Sequence, residues 1–501
     1  MNARLAVAAL AALVCAGAPA LAALPAGSHV FLVQNSGWME PFYTDPASQY
    51  KALVAELVMA ATQPGELMVL AAFNQSLPGA PSPKAILSLK VAADPATLRA
   101  QVGAALAGVQ PAKKPGSATL ADTDLGEAVN SAMSGALAGK PGLVWLFTNN
   151  RNSPNNDPAT ALRNREFYAL IHHGGAITRA LAFPLKMPVQ GAHYRANGLM
   201  VYVFAIGDDG TRQLELLLAT GRVQRVITEP PARLKPLDRD TVRLVPRRVD
   251  AAPGVAFSVA PDGMLRADVD QGARTPAAKI GWNLENTMYP YSIVSARIKA
   301  RSTLAQQALP IALARDTIRT LAPGASTPLE SSMQLPVAQL PGKWSASALA
   351  SAGSAHVLAG RIELQLTDQR LELSQAFRQR MAALFPGDPL PEIFTPPARI
   401  RGSTALLPIE VRVHYGVGPL AALIGAVVAL ALALGGAALA YCRPRRAYLT
   451  VDDEPRTVHT RAGVTQPVFD NGGHQLAQLQ TTLFGHRLIE LREGAQVRLG
   501  R

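Results

Sequence analysis

Between His29 and about Leu218, short apolar runs alternate with segments whose apolar residues recur every three or four positions. The runs have the length of buried strands, and the recurring segments have the period of helices. The predicted strands and helices are residues 30–33, 50–61, 67–73, 85–91, 125–137, 143–147, 158–172, 177–183 and 199–206, with one more helix capped by Asp94. Such alternation is typical of a mostly parallel sheet with helices on both faces. We therefore predict a doubly wound α/β domain over residues 23–225.

After Pro230-Pro231 the pattern changes to a period of two, as in strands with one buried face. The alternation is clearest at residues 362–366 and 409–413, and shorter runs occur at 255–259, 265–269 and 293–298. One helical segment interrupts them, with an apolar stripe at Leu373, Phe377, Met381 and Leu384 that we expect to belong to a core. We predict a β-sandwich-like domain over residues 226–414.

The segment 415–442 contains no Asp, Glu, Lys or Arg. Its apolar centre, residues 420–440, would extend roughly 31 Å as a helix, about the thickness of one bilayer core. Residues 1–22 have one Arg, an apolar run and Ala20-Leu21-Ala22, the order of a cleavable signal peptide. Arg443-Pro444-Arg445-Arg446 follows the long segment, and basic clusters mark the cytoplasmic end of a span. These features predict a single-pass membrane protein with a large exported part.

The cysteine content restricts the cellular compartments in which this chain is expected. The two cysteines, Cys15 and Cys442, lie in the predicted signal and at the end of the predicted span, so the exported part has none for a disulfide. This favours a bacterial inner-membrane protein with its large domains in the periplasm and its C-terminus in the cytoplasm. The net charge of +13 is scattered along the chain, which favours a basic surface facing lipid or envelope polymer over a nucleic-acid site. The tail, residues 443–501, is predicted to be a small β-rich module without an assigned partner.

Three polar loops follow predicted strands or precede a predicted helix in the first domain. They are Gln34-Asn35-Ser36-Gly37-Trp38-Met39, Asp122-Thr123-Asp124-Leu125-Gly126-Glu127-Ala128 and Phe147-Thr148-Asn149-Asn150. Ligands of α/β sheets meet the loops at the carboxyl ends of strands. We therefore expect these loops to form one surface.

The order and spacing of the loops resemble the von Willebrand factor A domain over about 190 residues. In that family the first loop reads Asp-x-Ser-x-Ser, the second has a Thr-x-x-Gly-x-Ala-type turn and the third reads Thr-Asp-Gly. Together they form a metal-ion-dependent adhesion site, in which a divalent cation takes a ligand from an acidic residue of the partner. The resemblance implies an α/β fold of this type and an interaction function.

This sequence differs from the family pattern at the residues that bind the metal. Gln34 stands in place of the first Asp, Trp38 in place of the second Ser and Asn149 in place of the last Asp, whereas Ser36 and Thr123 match. Mg²⁺ is held mainly by anionic oxygen, so we expect no tightly bound metal and no cofactor. The alternative is a non-standard Mg²⁺ site formed by Ser36, Thr123, Asp122 and Asp124.

Two interpretations of the loops carry equal weight at this point. Their polar residues either cap strands and helices only, or form a surface for another envelope protein. The predicted binding residues are Gln34, Asn35, Ser36, Trp38, Thr123, Asp124, Asn149 and Asn150. The chain shows no catalytic motif in a fitting context, so we expect a non-enzymatic protein, with a metal-dependent adhesion or ligand receptor as the alternative. An envelope enzyme is the third hypothesis and requires an unrecognised catalytic group in the second domain.

The membrane topology makes a testable prediction. A reporter that is active only outside the cytoplasm, fused at residue 410, should be active, and the same reporter at the C-terminus should be inactive. The reason is that the basic cluster after Cys442 retains that end of the span in the cytoplasm. Activity of the C-terminal fusion would contradict this orientation.

Overall fold

The first strand, Ser28–Gln34, is apolar from Val30 to Val33 because it is buried on both faces of a sheet. The computed structural model describes residues 27–152, 158–250, 253–261, 263–270, 277–335, 340–387, 391–397, 400 and 402–500. The predicted signal peptide lies outside these ranges. The chain divides into two compact units, the first comprising Met1–Ala267, Arg274–Pro336 and Leu358–Val411, and the second Asp268–Ala273, Val337–Val357 and Arg412–Arg501.

The first unit contains a seven-stranded mixed sheet. Its strands are β1 (Ser28–Gln34), β2 (Leu67–Phe73), β3 (Lys84–Lys90), β4 (Gly142–Thr148), β5 (Ile177–Gln190), β6 (Arg195–Ile206) and β7 (Ala232–Lys235). The strand order is β3-β2-β1-β4-β6-β5-β7. Strand β1 pairs in parallel with β2 and β4, and the other four pairs are antiparallel. The prediction of a mostly parallel sheet is therefore wrong, because β5 and β6 form a hairpin that places β6 beside β4.

Helices cover both faces of this sheet. They are α1 (Glu40–Thr44), α2 (Tyr50–Ala61), α3 (Pro95–Ala107), α4 (Leu125–Ser131), α5 (Pro158–His172) and α6 (Gly207–Ala219). One core joins Phe31 and Val33 to α2, α3 and α6, and the other joins Val30 and Leu32 to α4 and α5. Alternate residues of β1 therefore face different cores, which explains its continuous apolar sequence.

Two antiparallel sheets follow in the chain. Their strands are β8 (Val242–Asp250), β9 (Val255–Val259), β10 (Leu265–Val269), β11 (Ala277–Asn286), β12 (Tyr291–Leu304), β13 (Gln307–Leu309), β14 (Ile311–Leu313), β15 (Thr317–Leu321), β16 (Ser326–Gln334), β17 (Ala355–Leu373) and β18 (Ser403–His414), with α7 (Ala346–Ala350) and α8 (Gln375–Leu384). One sheet has the order β13-β12-β17-β18-β10-β9 with β15 paired to β12, and the other β14-β16-β11-β8. The mostly β character of this region is confirmed.

Helix α8 lies outside the predicted first domain in sequence but belongs to its second core. Phe377, Met381 and Leu384 are at most 8% exposed and pack in the cluster that contains Leu125 and Phe167. The expectation that this stripe is core is confirmed. Strand β7 also joins the first sheet. The first domain therefore includes β7 and α8, which both lie beyond residue 225 in the sequence.

The second unit contains α9 (Gly418–Cys442), a 25-residue helix with a mean hydropathy of 2.4 and no buried residue. By length and composition it is a candidate membrane span. The residues after it form β19 (Arg445–Val451), β20 (Glu454–Thr460), β21 (Thr465–Phe469), β22 (Gln475–Thr482), β23 (Gly485–Ile489) and β24 (Val497–Leu499). They make two three-stranded sheets, β20-β19-β24 and β21-β22-β23, around a core that includes Leu449, Ala477 and Leu479.

Two carboxylates fasten the β5–β6 hairpin to α1. Glu40, which is 5% exposed, accepts hydrogen bonds from the backbone of Ala192 (2.9 Å) and His193 (3.3 Å). Asp45 accepts one from the backbone of Gln190 (2.8 Å). A Cβ at position 191 would lie 2.0 Å from Glu40 Oε2, so any larger residue there would displace the carboxylate from the turn. The first carboxylate after β1 thus positions the hairpin beside the loop that carries Trp38.

Glu40→Gln should lower the free energy of unfolding at pH 7 by about 1–3 kcal/mol, because an amide offers one acceptor where the carboxylate offers two. Burial raises the pKa of Glu40, but the two backbone N–H groups, Thr44 and His193 lower it further, so it lies below 4.5 in the folded protein. This stabilisation is therefore present above pH 4.5 and is lost as the pH falls through the folded pKa.

Urea unfolding of wild type and variant as a function of pH measures this difference, which should shrink in acid. Glu56→Gln is the matched control, because Glu56 pairs with Arg99 at an exposed position. A difference between wild type and Glu40→Gln that stays constant from pH 7 to pH 3 would contradict the assigned role of the Glu40 charge.

Candidate functional site

The side chain of Gln34 lies at the carboxyl end of β1 and is fully buried. Its Oε1 accepts a hydrogen bond from the backbone N–H of Asn149 (3.2 Å). Because a backbone N–H can only donate, this contact fixes the orientation of the amide and directs Nε2 to the other side. Nε2 donates to Ser36 Oγ (2.7 Å) and to Thr123 Oγ1 (2.9 Å).

The two hydroxyls complete a small buried network. Thr123 Oγ1 donates to Ser36 Oγ over 2.6 Å, and neither residue has measurable exposure. The three loops predicted to meet are therefore joined through one amide. The predicted binding surface needs correction here, because Gln34, Ser36 and Thr123 are satisfied internally and do not reach solvent.

The two acidic residues beside Thr123 have other partners. Asp122 forms an ion pair with Lys114 (2.7 Å). Asp124 caps α4 by accepting from the backbone of Glu127 (2.9 Å) and lies 3.6 Å from Arg163. The Gln34 amide donates to both hydroxyls, and the two carboxylates are occupied by cationic side chains or by a helix end. These residues therefore do not fit a hard divalent cation. Within the described ranges, no three His, Cys, Asp or Glu residues cluster as metal ligands.

The Asn-rich loop after β4 is also used internally. Asn150 has a left-handed backbone (φ 68°), is fully buried and accepts a hydrogen bond from the hydroxyl of Tyr202. Asn152 accepts from the backbone of Leu125 (3.0 Å) and donates to Asn164 (2.6 Å), so it ties the start of α4 to α5. Asn150 is therefore another predicted binding residue that the structure places inside the protein.

Asn35 lies half-buried between neighbouring loops. Its side chain donates to the backbone carbonyl of Gln110 (3.2 Å) and accepts from Asn74 (3.1 Å). Asn35 therefore stabilises neighbouring loops, and Asp124 caps a helix, as the purely structural interpretation of these loops predicts.

Trp38 is half-buried and lies at the edge of this network. Its backbone carbonyl accepts a hydrogen bond from Asn149 Nδ2 (2.9 Å). Its ring lies 4.5 Å from that of Tyr194, and the guanidinium of Arg151 lies 4.4 Å from the ring centre. The indole N–H has no hydrogen-bond partner among the described residues. The indole N–H of Trp38 is thus a buried donor that no described residue satisfies.

A cavity of about 210 Å³ adjoins Trp38. Among its lining residues are Trp38, Asn149, Arg151, Arg195, Asn197 and Phe385. Arg151 donates to the backbone carbonyl of Pro386 (2.9 Å), and Arg195 is exposed at the start of β6. In the part of the chain that the structure describes, neither arginine forms an ion pair with a carboxylate. The cavity therefore combines an aromatic wall with two uncompensated positive charges, which suits an anionic group.

Sequence reasoning found Trp38 and Asn149 but missed Arg151, Tyr194 and Arg195. Arg151 directly follows Asn150, so its position beside the third loop was available as a signal. Tyr194 and Arg195 lie on the β5–β6 hairpin, which local sequence patterns do not place near β1.

The amide network leads to a prediction about metal binding. The melting temperature of the detergent-solubilised protein should barely change with millimolar Mg²⁺, Mn²⁺ or Ca²⁺, because a cation that does not bind the folded state does not stabilise it. The matched variant Gln34→Asp/Asn149→Asp introduces two carboxylates into this network and should gain a cation-dependent rise. A saturable rise of several degrees in the wild type would show that Asp122 or Asp124 completes a metal site.

Comparison with known proteins adds little to this geometry. No family model and no curated protein matches the chain. Among solved structures, the chain has a weak similarity to CfaE, the adhesive subunit of CFA/I fimbria of enterotoxigenic Escherichia coli. The match has 10% sequence identity and a TM-score of 0.12, and it covers 47% of this chain and 73% of that chain. A similarity at this level carries no argument about fold or function.

Proposed function

We propose that this chain is a non-enzymatic, single-pass protein of the bacterial inner membrane whose first domain binds another envelope protein in the periplasm. The observation that carries the proposal is the cavity beside Trp38, with an unpaired indole N–H and two arginines that no described carboxylate neutralises. Trp and Arg are the residues most enriched at the energetic centres of protein interfaces. The partner would present an acidic side chain or a chain terminus to this cavity.

The chemistry of the cavity favours a carboxylate on the partner. A guanidinium offers several N–H donors in a plane and binds carboxylates with two parallel hydrogen bonds. The indole N–H of Trp38 is buried and would supply a further donor once its ring turned toward the partner. Phe385 and Pro386 provide apolar surface at the edge of the cavity, so a partner would bury both kinds of contact.

We further propose that the first domain is a von Willebrand factor A-like domain that works without its metal. The meeting of the loops of Gln34, Thr123 and Asn149 at the end of the central strands supports this. The antiparallel pairing of β4 with β6 departs from a doubly wound sheet and limits the likeness to the first half of the sheet. In this proposal the Gln34 amide takes the structural role of the cation by joining the same loops.

A metal-dependent adhesion receptor is the second candidate. Its support is that the hydroxyls of Ser36 and Thr123, the two positions that match the family's ligands, lie side by side in one hydrogen bond of 2.6 Å. The Gln34 amide nitrogen opposes it, because it donates to both hydroxyls and uses the lone pairs that a cation would need. The metal-free interaction is therefore the function that the site supports best.

Trp38→Ala should weaken partner binding by about 2 kcal/mol, because an interface Trp often carries a large share of the binding energy. A photo-crosslinking residue at Asn197, which lines the cavity, should capture the partner in intact cells and so identify it. Affinity is then measured with the captured partner. Trp344→Ala is the matched control, since Trp344 is 58% exposed and remote in sequence. A crosslinker at Leu216, which is 52% exposed on α6, controls for nonspecific capture.

The effect on folding separates this proposal from a purely structural role. Because Trp38 is half-buried, Trp38→Ala should lower the free energy of unfolding by less than the roughly 3–5 kcal/mol expected for truncation of a fully buried Trp. Arg151→Gln in the same assay should weaken capture, because it removes one of the two charges. Equal capture from residues 197 and 216, or unchanged capture in both variants, would contradict the proposal.

A further inference from the structure

The turn between β22 and β23 exposes two large apolar side chains at its tip. Leu483 is 53% exposed and Phe484 is 100% exposed, so Phe484 makes no packing contact that hides it from solvent. Single exposed apolar side chains are common on protein surfaces, so the place of this pair in the fold, and not its exposure alone, indicates what covers it. We call residues 482–485 the hairpin tip.

The hairpin tip is held close to the end of the candidate membrane helix. Arg445 donates hydrogen bonds to the backbone carbonyls of Thr482 (3.1 Å) and Leu483 (2.9 Å). Arg445 follows Cys442, the last residue of α9, by three positions, and three residues extend at most about 10 Å. The tip is therefore separated from the end of the helix by at most three residues of chain and the length of one arginine side chain.

A second contact places the neighbouring turn at the same end. A Cβ on Gly463 would lie 2.1 Å from the hydroxyl oxygen of Tyr441, which belongs to the last turn of α9. The backbone of Gly463 donates to Thr481 (2.8 Å), and that of Thr481 donates to Val464 (3.1 Å). The 463–464 turn and the hairpin tip are therefore adjacent, and both face the end of the helix.

The side chains around this end suit the boundary of a bilayer. Tyr441 has the amphipathic ring that is enriched at membrane interfaces. Arg443 and Arg446 are exposed and Arg445 is half-buried, which gives a basic cluster with affinity for anionic headgroups. An apolar tip beside a basic cluster, at the end of a membrane span, matches lipid better than it matches a protein partner.

We propose that Leu483 and Phe484 insert into the headgroup region of an anionic bilayer and hold the tail against the membrane. This inference rests on the proposed role of α9 as a membrane span. It adds a second, reversible membrane contact to the permanent one. The tail then has a fixed orientation. The β19–β20 turn lies away from the lipid, at a distance equal to the length of β19, about 20 Å.

Site-specific fluorescence in vesicles tests the insertion. The full chain carrying Cys15→Ser, Cys442→Ser and Phe484→Cys is labelled with an environment-sensitive fluorophore and reconstituted into vesicles of phosphatidylglycerol and phosphatidylcholine. The matched control carries the label at Glu454→Cys, an exposed position at the far end of β19. The label at 484 should shift to shorter wavelength and be quenched several-fold more strongly by a shallow spin-labelled lipid than the label at 454. Leu483→Asp in the same background should abolish both changes.

A third label, at Leu430→Cys in the middle of α9, reports membrane insertion of the helix. Quenching at 430 with equal, water-like signals at 484 and 454 would overturn the tip insertion and leave the membrane span intact. Absence of quenching at 430 by a deep spin-labelled lipid would overturn both the span and the inference. Loss of partner capture at residue 197 would contradict the proposed protein interaction without affecting either result.

Discussion

One buried amide connects the parts of the first domain on which its candidate site depends. Gln34 ends the central strand, and its side chain joins the loop after β1, the start of α4 and the loop after β4. Every hydrogen-bonding atom of the amide is used in a region that water does not reach, so removing it would leave several groups unsatisfied at once. The position of Trp38 follows from this network, since Asn149 binds both the amide and the Trp38 carbonyl.

The sequence predicted the elements better than their arrangement. Apolar runs identified the buried strands because residues such as Val30 and Phe31 face two different cores. The helix Gly418–Cys442 was predictable from its apolar composition over a length that fits a membrane span. The order of β5 and β6 was not predictable, because a hairpin and a crossover use strands of similar composition. Long-range pairing decides between them, and no local pattern records it.

The site shows the same division. The spacing of the three loops correctly indicated that they meet, whereas exposure was misjudged for five residues. These are Gln34, Ser36, Thr123, Asn149 and Asn150, all of which are buried. Polar residues in loops are usually exposed, but here each finds a partner inside the protein. Arg195 and Tyr194 escaped notice because Glu40 and Asp45 bring their hairpin to the site from 145 to 152 residues away along the chain, through backbone contacts that have no sequence motif.

The use of an amide at position 34 also has an evolutionary consequence. Codons for Gln and Glu differ by a single base, as do those for Asn and Asp. A lineage of this protein is therefore a small mutational distance from carboxylates at positions 34 and 149, where an amide and a backbone contact now hold the loops together. Retaining the amides keeps the loops joined by hydrogen bonds alone, so the geometry of this face would not vary with the cation content of the surroundings.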